Sequence, residues 1–172
     1  MHIHRFERFW IGVSLVAIAI FIATVVIGFS VYDLRVIGAE KTVDPQNLQE
    51  TKFADPGVRK AEPGSEVDYE VYVMSRQFMF NPGTAEPITV PTDAKIRFHI
   101  TSPDVLHGFE VVGTNLNTMV IPGQVATFTT RFDTPKTYGL LCNEYCGAAH
   151  HVMEGRLKVV SKSQFNEKQL VQ

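Results

Sequence analysis

Cysteine is scarce in this chain: 172 residues hold two, Cys142 and Cys146. Charge of neither sign is in excess, and a net charge of −2 removes any electrostatic case for nucleic acid. Internal repeats and low-complexity tracts are missing, which excludes solenoids and repeat arrays. The length leaves room for one ordinary domain plus an appendage. Charged residues vanish altogether between Phe9 and Tyr32. That run is roughly 24 residues, enough to cross a bilayer at about 1.5 Å per residue.

The two cysteines sit in the most informative stretch, Cys142 to Met153, which reads C-N-E-Y-C-G-A-A-H-H-V-M. His150 follows Cys146 at a spacing of four and Met153 comes three later, while His107 lies upstream in S-P-D-V-L-H-G-F. Two thiolates, two imidazoles and a thioether are soft and borderline ligands, the set that suits copper. A single blue copper needs one thiolate, two imidazoles and a weak axial Met. The second Cys asks for a second ion, with both sulfurs shared. Two other readings stay open. A C-x3-C pair outside the cytoplasm can form a small disulfide, although that closes a very short loop and leaves both histidines and Met153 unexplained. Zinc accepts Cys2His2, although its usual paired knuckles are not spaced this way.

The apolar run reads as an uncleaved membrane anchor. Trp10 and Tyr32 stand near its ends, where amphipathic rings prefer the interface. A signal peptide has a shorter apolar core, about 7–15 residues, and a small-residue cleavage site. Gly38-Ala39 matches poorly, because Ile37 takes the position three before the cut. Arg5 and Arg8 precede the run, and Asp33 and Arg35 follow it, a bias that favours a cytoplasmic N-terminus. Residues 1–37 are therefore expected to form the N-terminal segment and transmembrane helix. Residues 38–64, polar and carrying Pro45, Pro56 and Pro63, are expected to be a linker over the membrane face. Residues 65–172 are expected to be an extracytoplasmic domain.

That domain reads as mainly β. Val67, Tyr69, Val71 and Val73 alternate with polar or mixed neighbours, as do Ile96, Phe98 and Ile100, and Ala126, Phe128, Thr130 and Phe132. Period two is the mark of half-buried strands. Pro82-Gly83, Pro91, Pro103, Pro122-Gly123 and Pro135 punctuate the gaps, as in a sandwich or barrel. A short helix capped by Ser161 or Ser163 is expected near the C-terminus. His99, alternating with Phe98 and Ile100, is expected on the wetter face of its sheet. His2, His4 and His151 lie outside the ligand spacing.

The metal stretch, H-I-T-S-P-D-V-L-H-G-F, V-I-P-G-Q and G-R-L-K-V-V together resemble subunit II of the haem–copper terminal oxidases, over nearly the whole chain. One membrane helix rather than two, with S-P-D-V-L-H-G-F and G-T-N-L-N, resembles the short B-type cytochrome c oxidases. The resemblance implies a cupredoxin-like Greek-key sandwich behind one transmembrane helix, and a dinuclear CuA centre. It implies that Cys142 and Cys146 bridge two coppers, that His107 and His150 each cap one, and that Met153 and the Glu144 carbonyl are weak axial ligands. It implies an electron relay fed by cytochrome c and emptied into haem of subunit I, in the cell membrane. Phe78 and Phe80, in Q-F-M-F-N-P, match the aromatic segment over the copper loop, where electrons arrive. The Glu144 carboxylate matches an acid that helps hold magnesium at the subunit I boundary. Glu7 matches an acid at a proton-channel mouth. Rivals are a quinol oxidase subunit II, which lacks the copper ligands, and a nitrous oxide reductase, which is much longer. A Sco-like chaperone carries C-x3-C with its histidine far downstream. A membrane-anchored copper carrier would need labile, exposed ligands.

Overall fold

The computed structural model describes residues 4–31 and 38–171. They fall into two units, Met1–Val36 and Ile37–Gln172. In the first, α1, Arg5–Val31, of 27 residues, takes in the charge-free run from Phe9 together with the charged turn before it, roughly 40 Å at 1.5 Å per residue. None of these residues is buried. The mean hydropathy of its most apolar window is 2.7, and a helix apolar on every side with nothing covering it has the character of a membrane span. His2, Tyr32, Asp33, Arg35 and the expected boundary at 37 lie outside the described residues.

The second unit is a sandwich of two sheets. One contains β1 (Gly38–Thr42), β9 (Gln124–Thr130), β6 (Ile96–Thr101), β3 (Tyr69–Arg76) and β2 (Gly57–Lys60) in that order, with β4 (Met79–Asn81) also on β3. The other runs β5 (Ile88–Pro91), β11 (Glu154–Val160), β10 (Lys136–Leu141), β7 (His107–Val111) and β8 (Asn117–Val120). Pairing is antiparallel except β3 with β6 and β5 with β11. The period-two residues meet between the sheets. Val71, Val73, Ile96, Phe98, Ile100, Phe109, Leu140 and Leu157 are all fully buried. Phe98 stacks on Phe128 at 4.9 Å between ring centres, and Phe80 meets Phe109 edge-on at 5.4 Å, arrangements that add to simple area burial.

The segment 38–64 is not a linker. β1 and β2 are edge strands of the first sheet, and between them Leu48 and Phe53 are buried against Tyr72 and Val125. Edge pairing of β1 and β2, together with these two apolar residues, holds the strap to the outer face of the sheet, and the prolines only punctuate it. The strap also corrects the placement of His99. It lies on the outer face but is only 5% exposed, stacked on Tyr72 at 4.6 Å. The chain does not end in a helix capped by serine. Ser161 and Ser163 bond to each other at 3.1 Å, and a single 3₁₀ turn, Glu167–Gln169, is capped by Asn166. The Ser161 hydroxyl also bonds Gln164 Oε1, and the Gln164 and Phe165 N–H groups go to the Ser161 backbone carbonyl, so neither serine side chain takes a capping bond.

Beneath the strap, Glu70 accepts from Lys52 Nζ and Tyr72 Oη, each at 3.3 Å, and sits 3.4 Å from His99 Nε2. Burial pushes the His99 pKa down and outweighs the upward pull of Glu70. Burial pushes Glu70 up, but the positive charge of a protonated His99 and of Lys52 holds it lower on balance. His99 is therefore neutral in the fold at pH 7, whereas the unfolded chain protonates it near pH 6.5. The unfolded state then binds more protons, so this contribution to stability is full above about pH 6.5 and is lost as pH falls through the folded pKa. The melting temperature of the metal-free chain should drop between pH 7 and pH 5, and His99→Gln should flatten that drop. An equal drop in His99→Gln would assign the pH dependence to other groups.

Candidate metal centre

Strand pairing brings the ligands together. β10 pairs β7 with Leu141 opposite Glu110, and the same register carried two residues further along each chain brings Asn143 to Gly108, beside His107. On its other side β10 pairs β11 with Leu141 opposite Glu154, and the Cys142 N–H donates to the Met153 carbonyl at 3.2 Å. Cys142, Met153 and His107 thus meet at one end of the second sheet because three neighbouring strands end there. The intervening loop turns back through a 3₁₀ turn, His150–Val152, and carries Cys146 and His150 over the same spot.

The donor atoms converge. The two sulfurs are free thiols 3.8 Å apart, against about 2.05 Å for a disulfide bond. Around Cys142 Sγ stand His107 Nδ1 at 3.9 Å and the Glu144 carbonyl at 3.2 Å. Around Cys146 Sγ stand His150 Nδ1 at 3.6 Å and Met153 Sδ at 3.7 Å. The donor atoms of His107, Cys142 and Cys146 all lie within 4.8 Å of one another. This set fits copper. It is sulfur-rich, and it includes a thioether that zinc sites do not use. Burial, then the neighbouring Cys142 thiol, pushes Cys146 up to about 11. Without metal it is a neutral thiol at pH 7, and an incoming ion displaces its proton.

One supporting residue was not among the residues expected from the sequence. Asp104 Oδ1 lies 2.8 Å from His107 Nε2, so that nitrogen donates and Nδ1 keeps its lone pair toward the sulfurs. Burial pushes the Asp104 carboxyl up. Hydrogen bonds from the Gln77 N–H, the His107 ring, the Val105 N–H and the Ser102 hydroxyl bring it below the ordinary range. The signal was an acid three residues before the histidine, in S-P-D-V-L-H.

The remaining expectations divide. Phe78 is half-buried and lies over the ligand loop, close enough that a Cβ on Gly147 would reach its ring at 3.1 Å. Phe80 is fully buried in the core, so no donor can touch it; its place in Q-F-M-F-N-P alternates inward. His151 is exposed, and His99 is on β6, stacked on Tyr72. Glu144 contributes its carbonyl to the cluster, and a magnesium role for its carboxylate rests on resemblance. Glu7 Oε2 accepts from the His4 N–H at 2.8 Å, the ordinary service of an acid in a first helical turn, and its proton-intake role also rests on resemblance.

Residues 65–160 match the family model "Cytochrome C oxidase subunit II, periplasmic domain". A cytochrome c oxidase subunit 2 of Thermus thermophilus is 41% identical over 157 residues, 90% of this chain and 91% of that protein. A second Thermus thermophilus cytochrome c oxidase subunit 2 is 44% identical over 123 residues, 71% of this chain and 88% of its own. Among solved structures, a chain of a heme–copper terminal oxidase dimer aligns at TM-score 0.72 and 26% identity, covering 91% of this chain and 100% of that one. The periplasmic domain of subunit II from Bradyrhizobium japonicum aligns at TM-score 0.52 and 19% identity, over 59% of this chain and 89% of its own, a likeness of fold. The chain is a membrane-anchored protein with a cupredoxin-like domain and a copper-type site, and it belongs to the cytochrome c oxidase subunit II family, whose members are subunits of the heme–copper oxidoreductases.

Proposed function

We propose that this chain is the electron-accepting subunit of a terminal respiratory oxidase. It would hold a dinuclear CuA centre, receive electrons singly from cytochrome c, and pass them to haem in subunit I, where oxygen is reduced to water. Its helix would sit in the cell membrane with the N-terminus cytoplasmic and the sandwich outside. The observation that carries this reading is the doubled donor set. Two sulfurs 3.8 Å apart each have an imidazole nitrogen and a weak donor of their own. A copper pair held there would supply one-electron redox chemistry with little change of geometry. The residues of this chain supply the rest. Cys142, Cys146, His107 and His150 would hold the copper, with Met153 and the Glu144 carbonyl as weak donors that would tune it. The sandwich keeps water away, with His107, Met153 and Cys146 at 0%, 2% and 4% exposure.

The surface beside the ligands supports a donor contact with little ionic character. Tyr145 and Val152 on the ligand loop are 77% and 60% exposed, and Leu141 and Met119 are 41% and 52% exposed. Met119 pairs with Gly108, next to His107. Steering by charge would be weak, so turnover with cytochrome c should fall only gently as ionic strength rises to physiological values.

The test is the full chain loaded with copper in detergent. Two coppers per chain, a purple colour, a spin-resonance signal shared by two copper nuclei and resistance to a mild chelator are expected. A single blue copper overturns the dinuclear reading. A pale protein that yields its copper readily points to a copper carrier, which buried ligands disfavour.

A further inference from the structure

We propose that Gln77 is a positioning residue for the metal centre, a two-ended clamp that sets the distance between the His107 arm and the Cys146 arm. At one end its backbone N–H donates to Asp104 Oδ2 at 2.8 Å, while Asp104 Oδ1 holds His107 Nε2 at the same distance. At the other end its side-chain amide Nε2 donates to the Cys146 carbonyl. The two arms come from segments far apart in the chain, and Gln77 lies between β3 and β4, outside both. Its spectroscopic consequences rest on the dinuclear reading above; its mechanical role does not.

The need for such a clamp follows from where strand pairing stops. Cys142 and Met153 are bonded across the end of the β10–β11 pair, and His107 opens β7. Cys146 has no such anchor. The ladder ends at Leu141 and Glu154, and Cys146 stands in the loop beyond it. Its carbonyl is spoken for by Gln77, and the residue is 4% exposed, so losing the amide strands a buried acceptor. The contact is close-packed as well as bonded. A Cβ on Gly147 would approach Gln77 Nε2 to 2.8 Å and the Phe78 ring to 3.1 Å, and Gly147 also holds a φ of +130° that favours glycine. The loop therefore seats against residues 77 and 78 without slack. One side chain transmits the place of β3 and Asp104 to the sulfur that strand pairing does not reach.

The experiment separates the two ends. Substitutions at Gln77 leave its backbone N–H on Asp104 and remove only the amide on Cys146. Gln77→Met keeps the length without the donor, and Gln77→Ala removes both. In the metal-free full chain, amide exchange across residues 143–149 should quicken at least about fivefold in both variants, the size of one lost hydrogen bond. Exchange in β3, β6 and β9 should be unchanged. In the copper-loaded chain a chelator should remove metal about fivefold faster, and the spin-resonance hyperfine pattern should shift. Loop exchange and copper release indistinguishable from the parent in Gln77→Met would overturn the clamp. Loss of protection spread over the whole sandwich would overturn it too, because Gln77 would then be a folding residue. The exchange arm is read without metal, so a parent chain lacking the two-copper spectrum sinks the functional reading and leaves the clamp tested.

Discussion

Cys146→Ser should abolish the two-copper spectrum of the proposed centre and lower its electron acceptance from the proposed cytochrome c donor by more than about a hundredfold, beyond the usual 10–100-fold loss when only a supporting contact is removed. Serine offers a hard, neutral oxygen that does not bridge two soft ions. The loss is asymmetric in a way the geometry specifies. Cys142 Sγ keeps His107 Nδ1 and the Glu144 carbonyl beside it, at 3.9 and 3.2 Å. His150 and Met153 lose the sulfur they share, at 3.6 and 3.7 Å. The variant should therefore retain at most one copper with a blue-type spectrum. Cys142→Ser should leave the complementary set of Cys146, His150 and Met153. Met153→Leu should be milder than either, because a long axial bond tunes the centre more than it holds it. Metal analysis with visible and spin-resonance spectra reads all three. Two coppers and the parental spectrum in either serine variant would mean that the sulfurs do not bridge.

The candidate ligands could be picked out in the sequence because coordination chemistry constrains residue type and local spacing together: Cys142, Cys146, His150 and Met153 lie within one turn-back of chain. The inner faces of the sheets were legible for a similar reason, since Val71 and Val73, or Ile96, Phe98 and Ile100, obey the pleat whatever their partners. The outer face was not. Tyr72 is buried with Leu48 and Phe53, which are far away in the chain, and His99 stacks on Tyr72; no local pattern encodes that cover. Asp104 was half-legible. Its place three before His107 is suggestive, but its role needs the ring nitrogen it faces. Gln77 carries no local signal, because both of its contacts are long-range, 27 and 69 residues away.

Gly108→Ala should cost the centre more than its one methyl suggests. The residue lies between His107 and Phe109 on β7, and a Cβ there would fall 1.8 Å from Asn143 Oδ1 and 2.9 Å from both Asn143 Cγ and the Asn143 backbone N. The side chain of Asn143 cannot simply swing aside, for its Nδ2 donates to Glu110 Oε2 at 3.2 Å and Asn117 Oδ1 at 3.0 Å. Even if both bonds are surrendered, the backbone contact remains, and the backbone is the one that carries Cys142. Relief must move Cys142 away from His107, the pair that anchors one half of the donor set. Overpacking of this kind costs about 1–3 kcal/mol of stability, and displacing a ligand pair held by close packing should lower copper affinity on the order of 10–100-fold. Thermal unfolding of the metal-free chain measures the first, and competition with a chelator of known strength the second. The double variant Gly108→Ala with Asn143→Ala should recover part of the stability, because the contact with Oδ1 disappears. It should recover little of the affinity, because the backbone contact persists. Parental copper affinity in Gly108→Ala would show that the close approach of these two strands does not set the distance between His107 and Cys142.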